Sequence, residues 1–212
     1  MKKIMFNERY GLEQAVIAGT KTMTRRRIHF PGIDDEDVSK PVMGIDEKGR
    51  VYFTFDARTE DVDIYPKYQI GEQVAIAQPY KNDDVLTFNA YNEDGTARED
   101  GLQRHKEMLG SKGYRNKMFV KAEYMPHRIR ITNIKAEHLQ NISEDDCLKE
   151  GVTRGKFNDF PKPMYFPYTG CHDTEVTYTP QYAFRALINR VSGPHTWDDN
   201  PWVIAYTFEL VD

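Results

Sequence analysis

Two segments alternate between apolar and polar side chains, and this pattern restricts the fold more than any other feature. Within residues 127–134, Ile129 and Ile131 alternate with Arg128 and Arg130. A segment near the end of the chain places large apolar residues at alternate positions: Trp202, Ile204, Tyr206, Phe208 and Leu210. A period of two is that of a β-strand with one buried face. Both segments are therefore predicted strands, and the first presents Arg128 and Arg130 to solvent.

Shorter apolar runs predict further strands at residues 51–55, 70–77 and 118–123. Turn-forming residues at 47–50 precede the first of them, which indicates a hairpin. The connections between these strands are shorter than a parallel crossover needs, and few helices separate them. The pattern predicts an α+β fold built on a curved or barrel-like antiparallel sheet.

Three helices are predicted from their end signals. Residues 9–18 carry a partial apolar face, and Gly19 is suited to end that helix. Residues 143–151 begin with Ser-Glu-Asp-Asp, in which the serine can cap the amide three residues on, and end at a glycine. Residues 179–193 begin with Thr-Pro and contain the longest apolar helical pattern.

The length of 212 residues fits a single domain, 1–212, with extended insertions at about 31–68, 82–117 and 152–178. The hydrophobic content of 39% supplies a core, and no apolar run approaches the roughly 20 residues of a membrane-spanning helix. The first residues lack a signal-peptide pattern. We therefore expect a cytoplasmic protein without a membrane partner.

The two cysteines, Cys147 and Cys171, have no spacing typical of a metal site. His172 beside Cys171 adds a second ligand type, but no further Cys or His lies nearby in the sequence to complete a site. A structural disulfide is not expected in the cytosol. The sequence thus predicts no metal and no cofactor.

One stretch concentrates cations and hydroxyls. Gly19–Arg27 reads Gly-Thr-Lys-Thr-Met-Thr-Arg-Arg-Arg, although the formal net charge of the whole chain is −4. A local patch of this kind suits a ligand that is anionic or carbonyl-bearing. The alternative is a solvated loop whose cations face the negative end of the preceding helix dipole.

Four aromatic residues lie in the insertion at 152–178, at positions 157, 160, 165 and 166. Such residues either stack on nucleic-acid bases or anchor the loop to the body of the protein, and we favour the anchor.

Three of these segments together resemble an ASCH domain, a branch of the PUA-like β-barrel superfamily. The segments are the helix ending in Gly19-Thr-Lys-Thr-Met-Thr-Arg-Arg26, the strand Gly71-Glu-Gln-Val-Ala-Ile76, and the helix Ile142-Ser-Glu-Asp-Asp-Cys-Leu-Lys-Glu-Gly151. The aromatic closing strand fits as well. The three insertions exceed a minimal ASCH domain and are not explained by the resemblance.

The resemblance implies a cleft that binds RNA or modified nucleosides, lined by the lysine–threonine stretch and by the helix at 143–151. Some small relatives are amidohydrolases that remove an acyl group from the exocyclic amine of cytidine with a lysine, a threonine and a glutamate. Matching motif to motif places this set at Lys21, Thr24 and Glu150. Thr22 is the alternative hydroxyl if the stretch is extended, since alternate residues of a strand share a face.

The chemistry of such a set is coherent. A threonine hydroxyl attacks when a neighbouring base takes its proton, and a desolvated lysine with a lowered pKa can be that base. Glu150 would orient Lys21 or pass a proton to the leaving amine. Arg26 would hold a carbonyl or phosphate oxygen.

The sequence is compatible with three functions. The favoured one is binding of RNA or a modified nucleoside without chemistry, with Arg25, Arg26, Arg128 and Arg130 as phosphate contacts and Lys21, Thr24 and Glu150 reading a base edge. The first alternative is the amidohydrolase. The second is a protein-interaction module that binds a protein partner through its insertions, with 82–117 as the best candidate.

Overall fold

The computed structural model describes residues 1–30, 38–57, 61–155, 162–171 and 176–211. The strands within these ranges are β1 (Lys2–Ile4), β2 (Met23–Arg27), β3 (Val42–Ile45), β4 (Val51–Asp56), β5 (Asp61–Ile64), β6 (Gln73–Ile76), β7 (Arg128–His138), β8 (Thr153–Gly155), β9 (Met164–Phe166) and β10 (Trp202–Leu210). The helices are α1 (Leu12–Ile17), α2 (Asp83–Ala90), α3 (Gly101–Leu109), α4 (Glu144–Lys149) and α5 (Pro180–Ser192).

A five-stranded sheet with the order β1-β6-β7-β10-β2 forms the centre of the fold. All its pairs are antiparallel except β1 with β6, which run parallel. The hairpin strands β3-β4-β5 form a second sheet, and β8-β9 a third. The predicted α+β class is confirmed. The expected barrel is not closed by the described strands, because β1 and β2 remain the two edges of the sheet.

Both alternating segments are strands, as predicted, and they pair with each other along β7 and β10. Ile129 and Ile131 are fully buried. In β10 two residues between the predicted apolar positions, Val203 and Ala205, are buried too. Trp202 packs edge-on against Phe55 of β4, whereas Val203 lines a small cavity of about 150 Å³ with Ile188 of α5. The sheet is therefore covered on both faces here, which a period of two does not reveal.

The predicted strand at 118–123 is wrong. Short 3₁₀ turns occupy Lys117–Phe119 and Ala122–Tyr124. Met118 and Phe119 are exposed, so their apolar character reflects no buried face. The side chain of Asn116 accepts a hydrogen bond from the Met118 amide at 3.0 Å, which favours a turn over a strand.

The three predicted helices are present, with one shorter than expected. Helix α1 begins at Leu12, because Gly11 adopts a left-handed conformation that ends the preceding turn. Ser143 caps α4 by accepting a hydrogen bond from the Asp146 amide, as predicted. Helix α5 begins with Pro180 at its first position. No helix of the described ranges is long and apolar enough to span a membrane.

The insertions contain more order than expected. The first carries the predicted hairpin, and residues 82–117 form the helices α2 and α3. Side chains from both helices join a second group of buried residues: Ala75, Ala77, Tyr80, Val85, Met108, Val120, Tyr124 and Met125. In the third insertion Tyr165 is buried, in keeping with an anchor, whereas Phe157 and Phe160 lie outside the described residues.

Candidate functional site

The basic stretch forms an edge strand of the central sheet and not a solvated loop. Gly19, with φ at 70°, ends α1, and the amides of Thr20 and Lys21 then both bond to the Ala15 carbonyl. Strand β2 follows and pairs with β10 on one side only. The backbone of Thr22 bonds to Lys149 and Phe208, each at 2.9 Å. The stretch is thus held between the end of α4 and β10.

Lys21 and Glu150 meet in a buried ion pair. Lys21 Nζ lies 2.7 Å from Glu150 Oε2 and also donates to the backbone oxygen of Glu150 at 2.5 Å. Both side chains are nearly inaccessible, at 2% and 6% of their full exposure. A lysine ammonium has three donors, so one N–H of Lys21 remains for another acceptor.

Arg25 binds the second oxygen of the Glu150 carboxylate. Its guanidinium lies 3.0 Å from Glu150 Oε1, 2.7 Å from Glu137 Oε1 and 3.1 Å from Asp146 Oδ2. Lys135 completes the cluster with a 2.7 Å contact to Asp146. Every charge in this network has an opposite partner, which is the condition for burying it without a large desolvation cost.

This geometry explains how a carboxylate is stabilised at the C-terminal end of α4. A carboxylate is disfavoured at a helix C-terminus by the helix dipole. Glu150 is the residue that caps α4, and each of its two carboxylate oxygens faces a cation, Lys21 or Arg25. Arg25 is consequently committed to protein carboxylates and is not available as the phosphate contact that the sequence predicted.

Burial also changes the protonation equilibria of the cluster. Desolvation lowers the pKa of Lys21, and the Glu150 charge only partly opposes this. For Arg25, desolvation is outweighed by Glu150 and Glu137, so the pKa of its guanidinium is raised. Desolvation raises the pKa of the neighbouring Cys147 thiol to about 12. Cys147 is therefore a buried, unreactive thiol, whereas burial favours the neutral form of Lys21.

Beside the ion pair lies a cavity of about 240 Å³, here called the central cavity. Its polar lining includes Lys21, Thr24, Glu150 and Asn7. The opposite wall is apolar and comes mainly from α5 with α1: Phe184, Leu187, Ile188, Val191 and Leu12. The side chains of Thr24 and Asn7 make no hydrogen bond to any described residue. The central cavity thus offers free hydrogen-bonding groups on one side and an apolar surface on the other.

The remaining predicted residues lie at or beyond the rim. Arg26 is exposed and donates to the Met5 carbonyl at 2.7 Å, and both residues line the central cavity. Thr22 is not part of the lining, although its alternate position in the strand had made it the second candidate hydroxyl.

Arg128 and Arg130 do not reach the central cavity. They lie at the beginning of β7. The cluster residue Lys135 lies five positions after Arg130, which is roughly 17 Å along an extended strand, and seven positions after Arg128. The exposed Arg130 pairs with Glu209 of β10 at 3.4 Å. The structure therefore separates these two arginines from Lys21, Thr24 and Glu150.

Several residues of this site carried no signal in the sequence. Glu137 and Lys135 follow the predicted end of the strand at 134, and Asn7 precedes the predicted helix. The amphipathic pattern of α5 indicated a buried face, but not that this face would line a cavity. Within the described ranges, no group of three His, Cys, Asp or Glu residues could hold a metal ion.

Comparison of the chain with protein-family models, with curated proteins and with solved structures gave no match.

Proposed function

We propose that the protein binds a modified nucleoside in the central cavity, as a PUA-like domain of the ASCH type. One observation carries the proposal. A lysine N–H, a threonine hydroxyl and an asparagine amide face an apolar wall across a space of about 240 Å³. These groups complement the carbonyl and amine edge of a nucleobase, and the apolar wall suits its ring or an attached acyl group.

The dimensions favour a small ligand over an RNA strand. Typical pockets for drug-sized molecules measure about 300–1,000 Å³, so the central cavity suits a single base or nucleoside. Arg25 is neutralised by three carboxylates, and Arg128 and Arg130 lie elsewhere. Of the four arginines expected to contact phosphates, Arg26 is the one at the cavity rim.

Hydrolysis is the second candidate function, and the Lys21–Glu150 pair with Thr24 in the same cavity favours it. In its neutral form Lys21 would take the proton of Thr24 as the hydroxyl attacks the acyl carbonyl. The bond to the exocyclic amine would then break, with the amine leaving protonated and the acyl group on Thr24. Water would release the acid. The lowered pKa of Lys21 makes its neutral form more accessible than that of an exposed lysine.

Calorimetric titration with cytidine acylated on its exocyclic amine tests the binding proposal. Thr24→Val should weaken binding by about tenfold, because one hydrogen bond in the central cavity is lost. Thr22→Val is the matched control and should bind like the wild type. Equal affinities of the wild type and Thr24→Val would contradict the proposed site. Chromatographic detection of free acid then separates the candidates, since binding without release excludes the hydrolase.

A further inference from the structure

A second cavity lies on the other side of Arg26. It measures about 330 Å³ and is lined by five basic residues, Lys3, Arg26, Arg27, His29 and Lys67. Tyrosine rings and apolar side chains complete the wall: Tyr65, Tyr68, Tyr206, Met5, Ile28, Ile64, Pro66 and Ile204. No Asp or Glu is among these described lining residues. We call it the basic cleft.

Four of the five basic residues that line the basic cleft, Lys3, Arg26, His29 and Lys67, have no acidic partner among the described residues. Lys3 Nζ donates to the carbonyls of Met118 and Val120 at 2.7 and 2.6 Å, which leaves its charge uncompensated. Among the described residues, Arg26, His29 and Lys67 contact no carboxylate.

This arrangement is unusual for the chain as a whole. Acidic residues outnumber lysine and arginine by 33 to 29, and most buried cations of the central cluster are paired. Glu72, a carboxylate close to Tyr68, is engaged by Lys2 at 3.0 Å. Like charges gathered without counter-ions repel one another: burial, and after it the charge of Lys67, lowers the pKa of Lys3. A bound anion would remove this repulsion.

The cleft and the central cavity are neighbours. Met5 and Arg26 line both, and Arg26 donates to the Met5 carbonyl with one N–H of its five. The guanidinium can therefore face a ligand that extends from one space into the other. The far wall of the basic cleft comes from residues 64–68, which belong to the first insertion and have no counterpart in the sequence resemblance.

We infer that the basic cleft binds the phosphate of a nucleotide whose base occupies the central cavity. Uncompensated cations supply charge-assisted hydrogen bonds to phosphate oxygens, and arginine suits them because its N–H groups form a fork. The ligand class is then a nucleotide, free or within a short single strand. The location of the base rests on the proposed function, whereas the phosphate site rests on the basic cleft alone.

The test is calorimetric titration of the full chain with acylated cytidine, its 5′-monophosphate, inorganic phosphate and a short single-stranded RNA carrying the same base. The 5′-monophosphate should bind at least about tenfold more tightly than the nucleoside. Combining His29→Ala with Lys67→Ala removes two exposed basic side chains that line the basic cleft and not the central cavity. This double variant should lose that gain and keep its affinity for the nucleoside. Thr24→Val is the converse control and should weaken all base-containing probes while sparing inorganic phosphate.

The outcomes separate this inference from the proposed function. Equal affinity for nucleoside and nucleotide, or a gain that survives in the double variant, would overturn the phosphate site. If phosphate-bearing probes bind through His29 and Lys67 but the nucleoside does not, the phosphate site stands and the nucleoside cavity fails. Tighter binding of the RNA than of the 5′-monophosphate would show that the phosphate belongs to a nucleic-acid strand. The slope of log K against log salt concentration should then become shallower by about 0.7 for each phosphate contact that a variant loses. Equal binding of RNA and 5′-monophosphate would identify the free nucleotide.

Discussion

Glu150 is the residue on which the candidate site depends. Its two carboxylate oxygens contact Lys21 and Arg25, one each. Its backbone oxygen accepts a second hydrogen bond from Lys21. Removing one member of a buried ion pair costs much more than the pair itself contributes, because the remaining charge stays buried without a partner. Glu150 therefore fixes the position of Lys21 at the central cavity.

Glu150→Gln should lower the free energy of unfolding by about 3–5 kcal/mol, because Lys21 would remain buried without its carboxylate. Urea denaturation followed by circular dichroism measures this difference. Glu209→Gln is the matched control: it breaks the exposed pair with Arg130 and should cost no more than about 1 kcal/mol. Similar losses of unfolding free energy in both variants would show that the buried pair is no more important for stability than the exposed pair.

The sequence predicted some of these residues and could not predict others. Lys21, Thr24 and Glu150 lie in short motifs that can be recognised locally, and the structure brings them to one cavity. The role of Arg25 depends on Glu137 and Asp146, which are 112 and 121 positions away. No local pattern encodes such partners, so Arg25 resembled a ligand contact when it is in fact neutralised by the protein.

At the scale of elements, the end of α4 sets the geometry of the site. Gly151 follows Glu150 with φ at 108°, a conformation that side chains rarely adopt. A Cβ atom there would lie 3.0 Å from Leu12 Cδ2 and 3.6 Å from Lys21 Cδ. The glycine thus lets α4 end directly against two residues of the central cavity.

Gly151→Ala should destabilise the protein by about 1–3 kcal/mol and weaken ligand binding, because its positive φ strains the backbone and the new methyl group displaces Leu12 from the wall of the central cavity. Thermal denaturation and calorimetric titration measure the two effects. Gly19→Ala is the control: its φ of 70° strains the backbone similarly, but no atom lies within 4 Å of the added Cβ. It should lose stability and retain affinity. Unchanged binding in Gly151→Ala would contradict the proposed contact.

The wrong predictions of secondary structure have physical explanations. Strand β2 was not predicted, because its sequence is charged and has no alternating apolar pattern. An edge strand pairs on one side only and tolerates exposed charges such as Arg26 and Arg27. The segment 118–123 was predicted as a strand from its apolar residues, yet Met118 and Phe119 are exposed. Strands with a regular period, such as β7 and β10, were predicted correctly because a half-buried sheet requires that period.

At the scale of the whole molecule, the insertion at 82–117 adds a second buried group to the fold. Helices α2 and α3 cover it, and Asn89 joins it to the following turn through a 2.8 Å bond to the Tyr124 carbonyl. Lys117 ties the end of the insertion to α1 by a 2.9 Å contact with Glu13. The insertion is therefore packed onto the body of the protein.

Met108→Ala should cost about 2–5 kcal/mol of unfolding free energy, because Met108 is buried in this second group and its removal leaves a cavity. Urea denaturation is again the measurement. Leu102→Ala in the same helix, at a position 80% exposed, should change stability by no more than about 0.5 kcal/mol. A negligible effect of Met108→Ala would indicate that α3 is not packed in solution.

The central claim is that the cavity between α4, β2 and α5 is the ligand site. Methyl NMR during titration with acylated cytidine 5′-monophosphate tests it most directly. We predict shifts for the methyl groups of Leu187 and Ile188, which line the central cavity, and none for Val85, which is a buried residue of α2. Shifts at Val85 with none at Leu187 and Ile188, or an unchanged spectrum at saturating ligand, would contradict the account.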